Sequence, residues 1–177
     1  MYRINELLKL DRKIYHSNDL AILWGITNKN TLYTTIKRYI KKGVLIPVFK
    51  GLYTTIPTTQ LDPLVLGTAI IHRYTYLSTE SVLATHGVIS QITYNYTFIS
   101  SLSKKVTIED RTFLFRRLNP KFLNNPLGIE KRGDVYVATL ERAVSDMLYF
   151  DPKYTFDVKK QIDWKKVKQI QKEVGYV

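Results

Sequence analysis

The amino-acid sequence predicts an α+β fold with two domains, and three observations carry this prediction. Apolar residues recur at helical spacing in two short segments before residue 43, and a β-hairpin pattern follows them. After residue 63, helical segments alternate with short β-prone runs. The stretch between these regions is polar and is bracketed by prolines, which is typical of a linker. We therefore assign residues 1–56 to a first domain, 57–63 to a linker and 64–177 to a mixed α/β second domain.

The first domain is predicted to contain a helix after residue 16. Ser17 is its expected N-cap, and Leu20 and Trp24 share one helical face. Gly25 ends the helix, because glycine adopts the left-handed conformation without steric cost. Ahead of this helix, we expect a short helix with Ile4, Leu7, Leu8 and Leu10 on its apolar side, and a strand at Ile14 and Tyr15.

A second helix and a β-hairpin follow. The helix is predicted from a cap at Thr27 or Asn28 to about Lys42, with its apolar stripe facing the core. The hairpin is predicted from Val44–Phe49, the turn Lys50-Gly51 and Leu52–Thr55. Helix, tight turn, helix and hairpin in this order are typical of a winged helix-turn-helix domain.

The distribution of charge indicates that the first domain binds a polyanion. The chain has a net charge of +12 and a pI near 9.7. Residues 1–56 carry ten Lys and Arg against three Asp and Glu, whereas residues 57–177 carry seventeen against twelve. No acidic residue lies between Asp19 and Asp62. Because solvated helix faces usually mix both signs, this all-basic interval favours nucleic-acid binding.

The second helix and the hairpin supply the candidate DNA contacts. Cations and hydrogen-bond donors on an exposed helix suit phosphate oxygens and the base edges of the major groove. The hairpin turn is expected to touch phosphates or the minor groove. Most of the thirteen tyrosines occur at β or core spacing, which packing explains, and we keep Tyr33 and Tyr53 as candidate DNA contacts. The candidates are Lys29, Asn30, Tyr33, Thr34, Lys37, Arg38, Lys41, Lys50 and Tyr53.

The sequence offers little for catalysis. Absence of cysteine excludes disulfides, thiolate metal sites and cysteine nucleophiles. His16, His72 and His86 lack metal-ligand spacing, and there is no Gly-rich phosphate loop or Gly-x-Ser-x-Gly elbow. We therefore predict no enzyme activity, catalytic residue, cofactor or metal. The lack of a signal peptide or a long apolar run leads us to expect a cytoplasmic protein without a membrane partner.

Two other functions stay open at this point. Glu109 and Asp110, near Arg111, could form the metal site of a nuclease, although a charged hairpin turn is the simpler explanation. The basic face could instead bind RNA or an acidic protein. A Mg²⁺-dependent cleavage assay tests the first function, and competition between duplex DNA and RNA tests the second.

The second domain is predicted to begin with a helix at Pro63. Thr139 is the expected cap of a helix that ends at Asp151, and Asp163 is expected to start a last helix with Trp164 facing inward. The β-prone runs are residues 74–77, 97–100, 105–108, 112–116, 127–130 and 135–138.

Three stretches of this chain resemble the AbiEi antitoxins of type IV abortive-infection toxin–antitoxin systems. The first is the helix pair and hairpin ending in Gly51-Leu52-Tyr53. The second, Tyr76–Gly87, is similar to a family block of Tyr-hydrophobic-Ser, a small helix and His-Gly. The third, Val135–Asp146, is similar to a block of Ala-Thr-x-Glu-basic-Ala-hydrophobic-x-Asp.

The resemblance implies two roles. One is repression of the protein's own operon, through double-stranded operator DNA bound by the winged domain. The other is antitoxin activity of the C-terminal part against a nucleotidyltransferase toxin of the AbiEii type, encoded nearby. In that family the antitoxin is not thought to act by simply occluding the toxin.

Overall fold

The predicted α+β fold is confirmed, with helices near the N-terminus and a mixed sheet in the C-terminal part. The chain separates into two compact units, Met1–Asp62 and Pro63–Val177. The residues predicted as a linker, 57–63, include the 3-10 turn Thr58–Gln60. This computed structural model describes residues 6–7, 9–10, 12–90 and 94–177.

The first unit contains, in chain order, β1 (Ile14–His16), α1 (Ser17–Trp24), α2 (Lys29–Lys41), β2 (Ile46–Phe49) and β3 (Leu52–Thr54). The strands form an antiparallel sheet in the order β1-β3-β2. The predicted strand at Ile14 and the predicted hairpin are thus present. This arrangement is compatible with a winged helix-turn-helix.

The start of α1 corrects the sequence prediction. His16, not Ser17, is the N-cap, because β1 continues to His16 and holds its backbone extended. The Asp19 carboxylate accepts a hydrogen bond from the His16 backbone N–H at 3.0 Å, and Arg12 pairs with the same carboxylate at 2.5 Å. Gly25 ends the helix as predicted, with φ of +61°.

The core of the first unit lies between the helices and the sheet. Leu20, Leu32 and Ile36 are buried, and the rings of Trp24 and Tyr39 approach to 5.1 Å between centroids. In the short helix expected before residue 11, Leu7 is buried but Leu10 is 44% exposed; Ile4 and Leu8 lie outside the described residues.

The second unit contains, in chain order, α3 (Pro63–Ile70), β4 (Thr75–Leu77), α4 (Glu80–Thr85), β5 (Asn95–Ser100), β6 (Lys104–Ile108), β7 (Arg111–Arg117), α5 (Pro120–Leu123), β8 (Ile129–Arg132), β9 (Val135–Ala138), α6 (Leu140–Phe150) and α7 (Trp164–Val174). Its strands form a mixed sheet in the order β6-β7-β5-β4-β9-β8. Every β-prone run contributes a strand, although β8 is displaced by two residues from its predicted position.

Both predicted caps in this unit are confirmed. The Thr139 side chain accepts from the backbone N–H of Arg142, and the Asp163 side chain accepts from those of Lys165 and Lys166. The expectation that Trp164 faces inward is wrong. Trp164 is 38% exposed, because it is the first residue of α7 and the buried residues of this helix begin at Val167. Its ring centroid lies 5.9 Å from that of Phe156.

Candidate nucleic-acid interface

The outward face of α2 carries most of the predicted DNA contacts. At about 100° per residue, Asn30, Thr34, Lys37 and Lys41 fall within roughly 60° of one another. Tyr33 and Arg38 lie on either side of this stripe, and Lys29 stands at the first helical position. All seven side chains are exposed, including Tyr33 at 48%.

The described residues do not neutralise the cations of this face. Across the described residues, none of Lys29, Lys37, Arg38 and Lys41 forms an ion pair. The helix itself carries no carboxylate. The face therefore keeps its positive charge available to an external anion.

The N-terminal end of α2 is fixed by a side-chain cap. Asn28, the second of the two predicted caps, accepts a hydrogen bond from the Thr31 backbone N–H at 3.1 Å. Lys29 and Asn30 follow directly and are exposed. A polar side chain is thus held at the end of the helix that enters a groove first in helix-turn-helix proteins.

The hairpin turn is hydrogen-bonded to the first residue of α1. Gly51 has φ of +74°, a conformation that few other residues adopt, and its carbonyl accepts from the Ser17 backbone N–H at 2.9 Å. A bulge between Pro47 and Phe49 shifts the register of β2 against β3. Lys50 is exposed at the tip of this turn.

A groove of about 680 Å³ lies between α2 and the hairpin, and we call it the α2–hairpin groove. It brings Tyr33 and Lys37 of the helix to the same concavity as Lys50 of the turn. The groove is lined by Tyr33, Ile36, Lys37, Ile40, Pro47, Val48, Phe49, Lys50, Gly51 and Tyr53.

The expectation that Tyr53 is an exposed DNA contact is wrong. It is 9% exposed and belongs to the core, because β3 is the central strand of its sheet and all three of its residues are buried. Burial, followed by the proximity of Tyr33, raises the pKa of Tyr53. Its hydroxyl therefore stays protonated at neutral pH, and Tyr53 is one of the residues that line the groove.

The residues considered for a nuclease site form the turn predicted from the sequence. Glu109 and Asp110 connect β6 to β7, and Glu109 has φ of +54°. Over the described residues, no three His, Asp, Glu or Cys side chains come together as metal ligands. No observation here favours the metal-dependent alternative.

Sequence reasoning missed a buried polar cluster in the second unit. Arg142 of α6 is fully buried and pairs with Asp146, also fully buried, through Nε and Oδ1 at 2.9 Å. Asp146 Oδ2 accepts hydrogen bonds from Ser78 Oγ at 2.7 Å and Tyr76 Oη at 3.1 Å. Tyr176 Oη donates to Asp146 Oδ1 at 2.5 Å. We call these five residues the Arg142 network.

The remaining nitrogens of Arg142 bind backbone and phenolic oxygens. Nη1 donates to the carbonyls of Leu127 at 2.8 Å and Asn125 at 3.2 Å. Nη2 donates to Tyr76 Oη at 3.1 Å and to the Phe122 carbonyl at 3.3 Å. The guanidinium thereby joins β4, the loop after α5 and α6.

Burial sets the protonation of the network. Desolvation, and then the Asp146 charge, raises the pKa of Tyr76 and of Tyr176, and the nearby Arg142 lowers both only in part. For Arg142, burial lowers the pKa, but the Asp146 carboxylate and the tyrosines outweigh it and the net shift is upward. At neutral pH the tyrosines are therefore donors and the arginine is a cation.

The sequence held one signal for this network. Arg142 and Asp146 are spaced i,i+4 beside the apolar stripe of Ala143 and Met147. Charged residues next to an apolar stripe are seldom buried unless they are paired. Tyr76 and Ser78 belong to the second stretch of the AbiEi resemblance, and Arg142 and Asp146 belong to the third, so the network joins the two stretches.

A comparison with family models finds no match for this chain, and a search of curated proteins finds none. The AbiEi resemblance therefore rests on its three stretches alone. Among the helices of the described residues, none combines the length and the apolarity needed to cross a bilayer.

Proposed function

We propose that this protein binds double-stranded DNA through its first unit and represses transcription of its own operon. The observation that carries the proposal is the outward face of α2, whose cations form no ion pair in the part of the chain that the structure describes and which carries no carboxylate. Such a face neutralises phosphates and releases their counterions, which is the main sequence-independent source of affinity for DNA. A regulator of transcription would act in the cytoplasm.

Base recognition would come from the first turns of α2. A major groove about 12 Å wide admits a helix, and Asn can bond adenine at two points. Asn30 and Thr34 share the outward stripe with Lys37, so groove entry by this face brings amide, hydroxyl and cation to the duplex together. Lys50 at the hairpin tip would contact phosphates or the minor groove beside the helix.

The second unit would carry the antitoxin role that the AbiEi resemblance implies, against a nucleotidyltransferase toxin encoded nearby. Two of the three resembling stretches supply four of the five residues of the Arg142 network, whose arginine and aspartate are fully buried. These residues would therefore maintain the fold of an antitoxin domain, and contacts with a toxin would come from exposed side chains.

A binding titration tests the DNA proposal. Full-length protein is titrated onto labelled duplexes carrying either the DNA upstream of its own gene or a scrambled sequence, at several salt concentrations. We expect tighter binding to the upstream duplex, and a log–log salt slope of about −0.9 for each neutralised phosphate. Equal affinity for both duplexes would refute the repressor role.

Two additions to the titration separate the alternatives. Preferential competition by RNA of the same sequence would favour an RNA-binding module, and Mg²⁺-dependent cleavage of the labelled duplex would favour a nuclease. The antitoxin role is tested with full-length protein carrying Lys37→Ala and Lys41→Ala. We expect this variant to rescue cells from the toxin after it has lost repression; failure to rescue would mean that repression alone explains protection.

A further inference from the structure

The α2–hairpin groove has a largely apolar lining, which we call its floor, together with two cations. Ile40 and Val48, both half-buried, present carbon atoms to the groove, and the buried Ile36 lies behind them. Lys37 contributes an ammonium group from the helix, and Lys50 contributes another from the hairpin turn. None of the lining residues is acidic. This combination of apolar and cationic lining differs from the polar stripe on the outward face of α2.

Two tyrosine hydroxyls complete the lining. Tyr33 is exposed on the helix side, and Tyr53 enters from the central strand of the sheet. Burial, and then the nearby Tyr33, raises the pKa of Tyr53, which therefore keeps its proton at neutral pH. The groove therefore offers the neutral Tyr53 hydroxyl as a donor in addition to cations, and phosphate oxygens accept hydrogen bonds from both.

A lining with both polar and apolar residues favours an anion that itself has charged and apolar parts. A free phosphate would use the lysines and leave the apolar floor in water. A sugar–phosphate strand alternates charged oxygens with a carbon-rich ring, and both parts find matching groups in this groove. Resting on the DNA-binding function proposed above, we infer that the α2–hairpin groove holds one sugar–phosphate strand of the duplex and selects deoxyribose over ribose.

Selection against ribose follows from the floor. A 2′-hydroxyl placed against Ile40 and Val48 would lose its water without gaining a hydrogen-bond partner from them. Leaving such a group unpaired weakens binding on the order of tenfold for each buried ribose. A deoxyribose presents only carbon at the same position and incurs no such loss.

The test is a coupling experiment on a duplex that the full chain selects from a random pool. Methylphosphonates, which are uncharged, replace one phosphate at a time, and affinities are measured for wild type and Lys50→Ala. We expect one position at which the replacement weakens wild type on the order of tenfold but hardly affects Lys50→Ala. Lys41→Ala, which removes a charge outside the groove, should keep the full effect at that position.

Single riboses placed beside that phosphate then test the floor. We expect each ribose to weaken binding of the wild type on the order of tenfold. Val48→Thr supplies a hydroxyl in nearly the same shape, and we expect it to recover most of the lost affinity. The inference would be overturned if Lys50→Ala and the methylphosphonate weakened binding additively at every phosphate. It would also be overturned if every single ribose left the affinity unchanged. In both cases the DNA-binding function would stand. If the chain retains no duplex from the pool, both proposals fail.

Discussion

The outward face of α2 and the Arg142 network use the same side-chain chemistry in opposite environments. On α2, exposed lysines and an arginine stand beside an exposed tyrosine and have no ion-pair partner in the described residues. In the network, one arginine is fully buried, and all three of its nitrogens donate to carboxylate, carbonyl or phenolic oxygens. The cations of the first arrangement can bind an external anion, whereas the cation of the second is already bound by groups inside the fold.

The contrast separates stability from binding. Exposed cations add little to stability, because water and salt already solvate them. A buried cation and its carboxylate must both be satisfied, because either one alone would be an uncompensated charge in a medium of low dielectric constant. Substitutions in the two regions should therefore change different measurements, and this difference can be tested.

The largest effect is expected for Arg142→Leu. The substitution leaves Asp146 buried without its cation and should lower the free energy of unfolding of the second unit by about 3–5 kcal/mol. Urea unfolding in a Trp24→Phe background measures it, because fluorescence then reports Trp164 of the second unit. The matched control is Arg132→Leu, since Arg132 pairs with Glu130 at 3.2 Å with both side chains 55% exposed. A similarly small loss of about 0–1 kcal/mol for both variants would contradict the structural role of the network.

The next effect concerns sequence preference. Asn30→Ala should reduce discrimination between the upstream and scrambled duplexes by about 1–3 kcal/mol, because it removes a base contact available at two points. Binding to scrambled DNA should change little, since Asn30 carries no charge. Titration of both duplexes at one salt concentration is sufficient. Equal weakening on both would place Asn30 at a phosphate.

Above pH 10, the network should make the second unit sensitive to alkali. Folding raises the pKa of Tyr176, so the unfolded chain releases this proton at a pH where the folded protein retains it. Stability is therefore unaffected below about pH 10 and falls as the pH rises above it, by up to about 1.4 kcal/mol per pH unit for this one group. Tyr176→Phe should flatten the decline by that amount in urea unfolding series between pH 10 and 11. Identical slopes would show that Tyr176 titrates alike in both states.

Local signals explain why α2 could be predicted and the network could not. Asn28, the apolar stripe and Gly43 all lie within one short segment, and the structure uses them as the sequence suggests. The network depends on partners far apart in the chain, such as Tyr76 and Asp146, which are 70 residues apart. The burial of Tyr53 could not be predicted for a similar reason. Its burial depends on β1 pairing with β3, and that pairing brings Tyr15 opposite Tyr53 from outside the hairpin.

The smallest effect is expected for Lys41→Ala, and it tests the exposed half of the comparison most directly. Lys41 is exposed in the last turn of α2 and has no ion-pair partner among the described residues, so its removal should change unfolding free energy by less than about 0.5 kcal/mol. If it neutralises one phosphate, the log–log salt slope should fall by about one unit, equally on the upstream and scrambled duplexes, because phosphates carry no sequence information. Lys168→Ala is the control, since it removes the same charge from an exposed position of α7 in the other unit and should leave the slope unchanged.

A slope that falls equally for both variants would mean that net charge, and not the face of α2, governs binding. A loss confined to the upstream duplex would instead assign Lys41 to a base edge and reverse the orientation inferred for the helix.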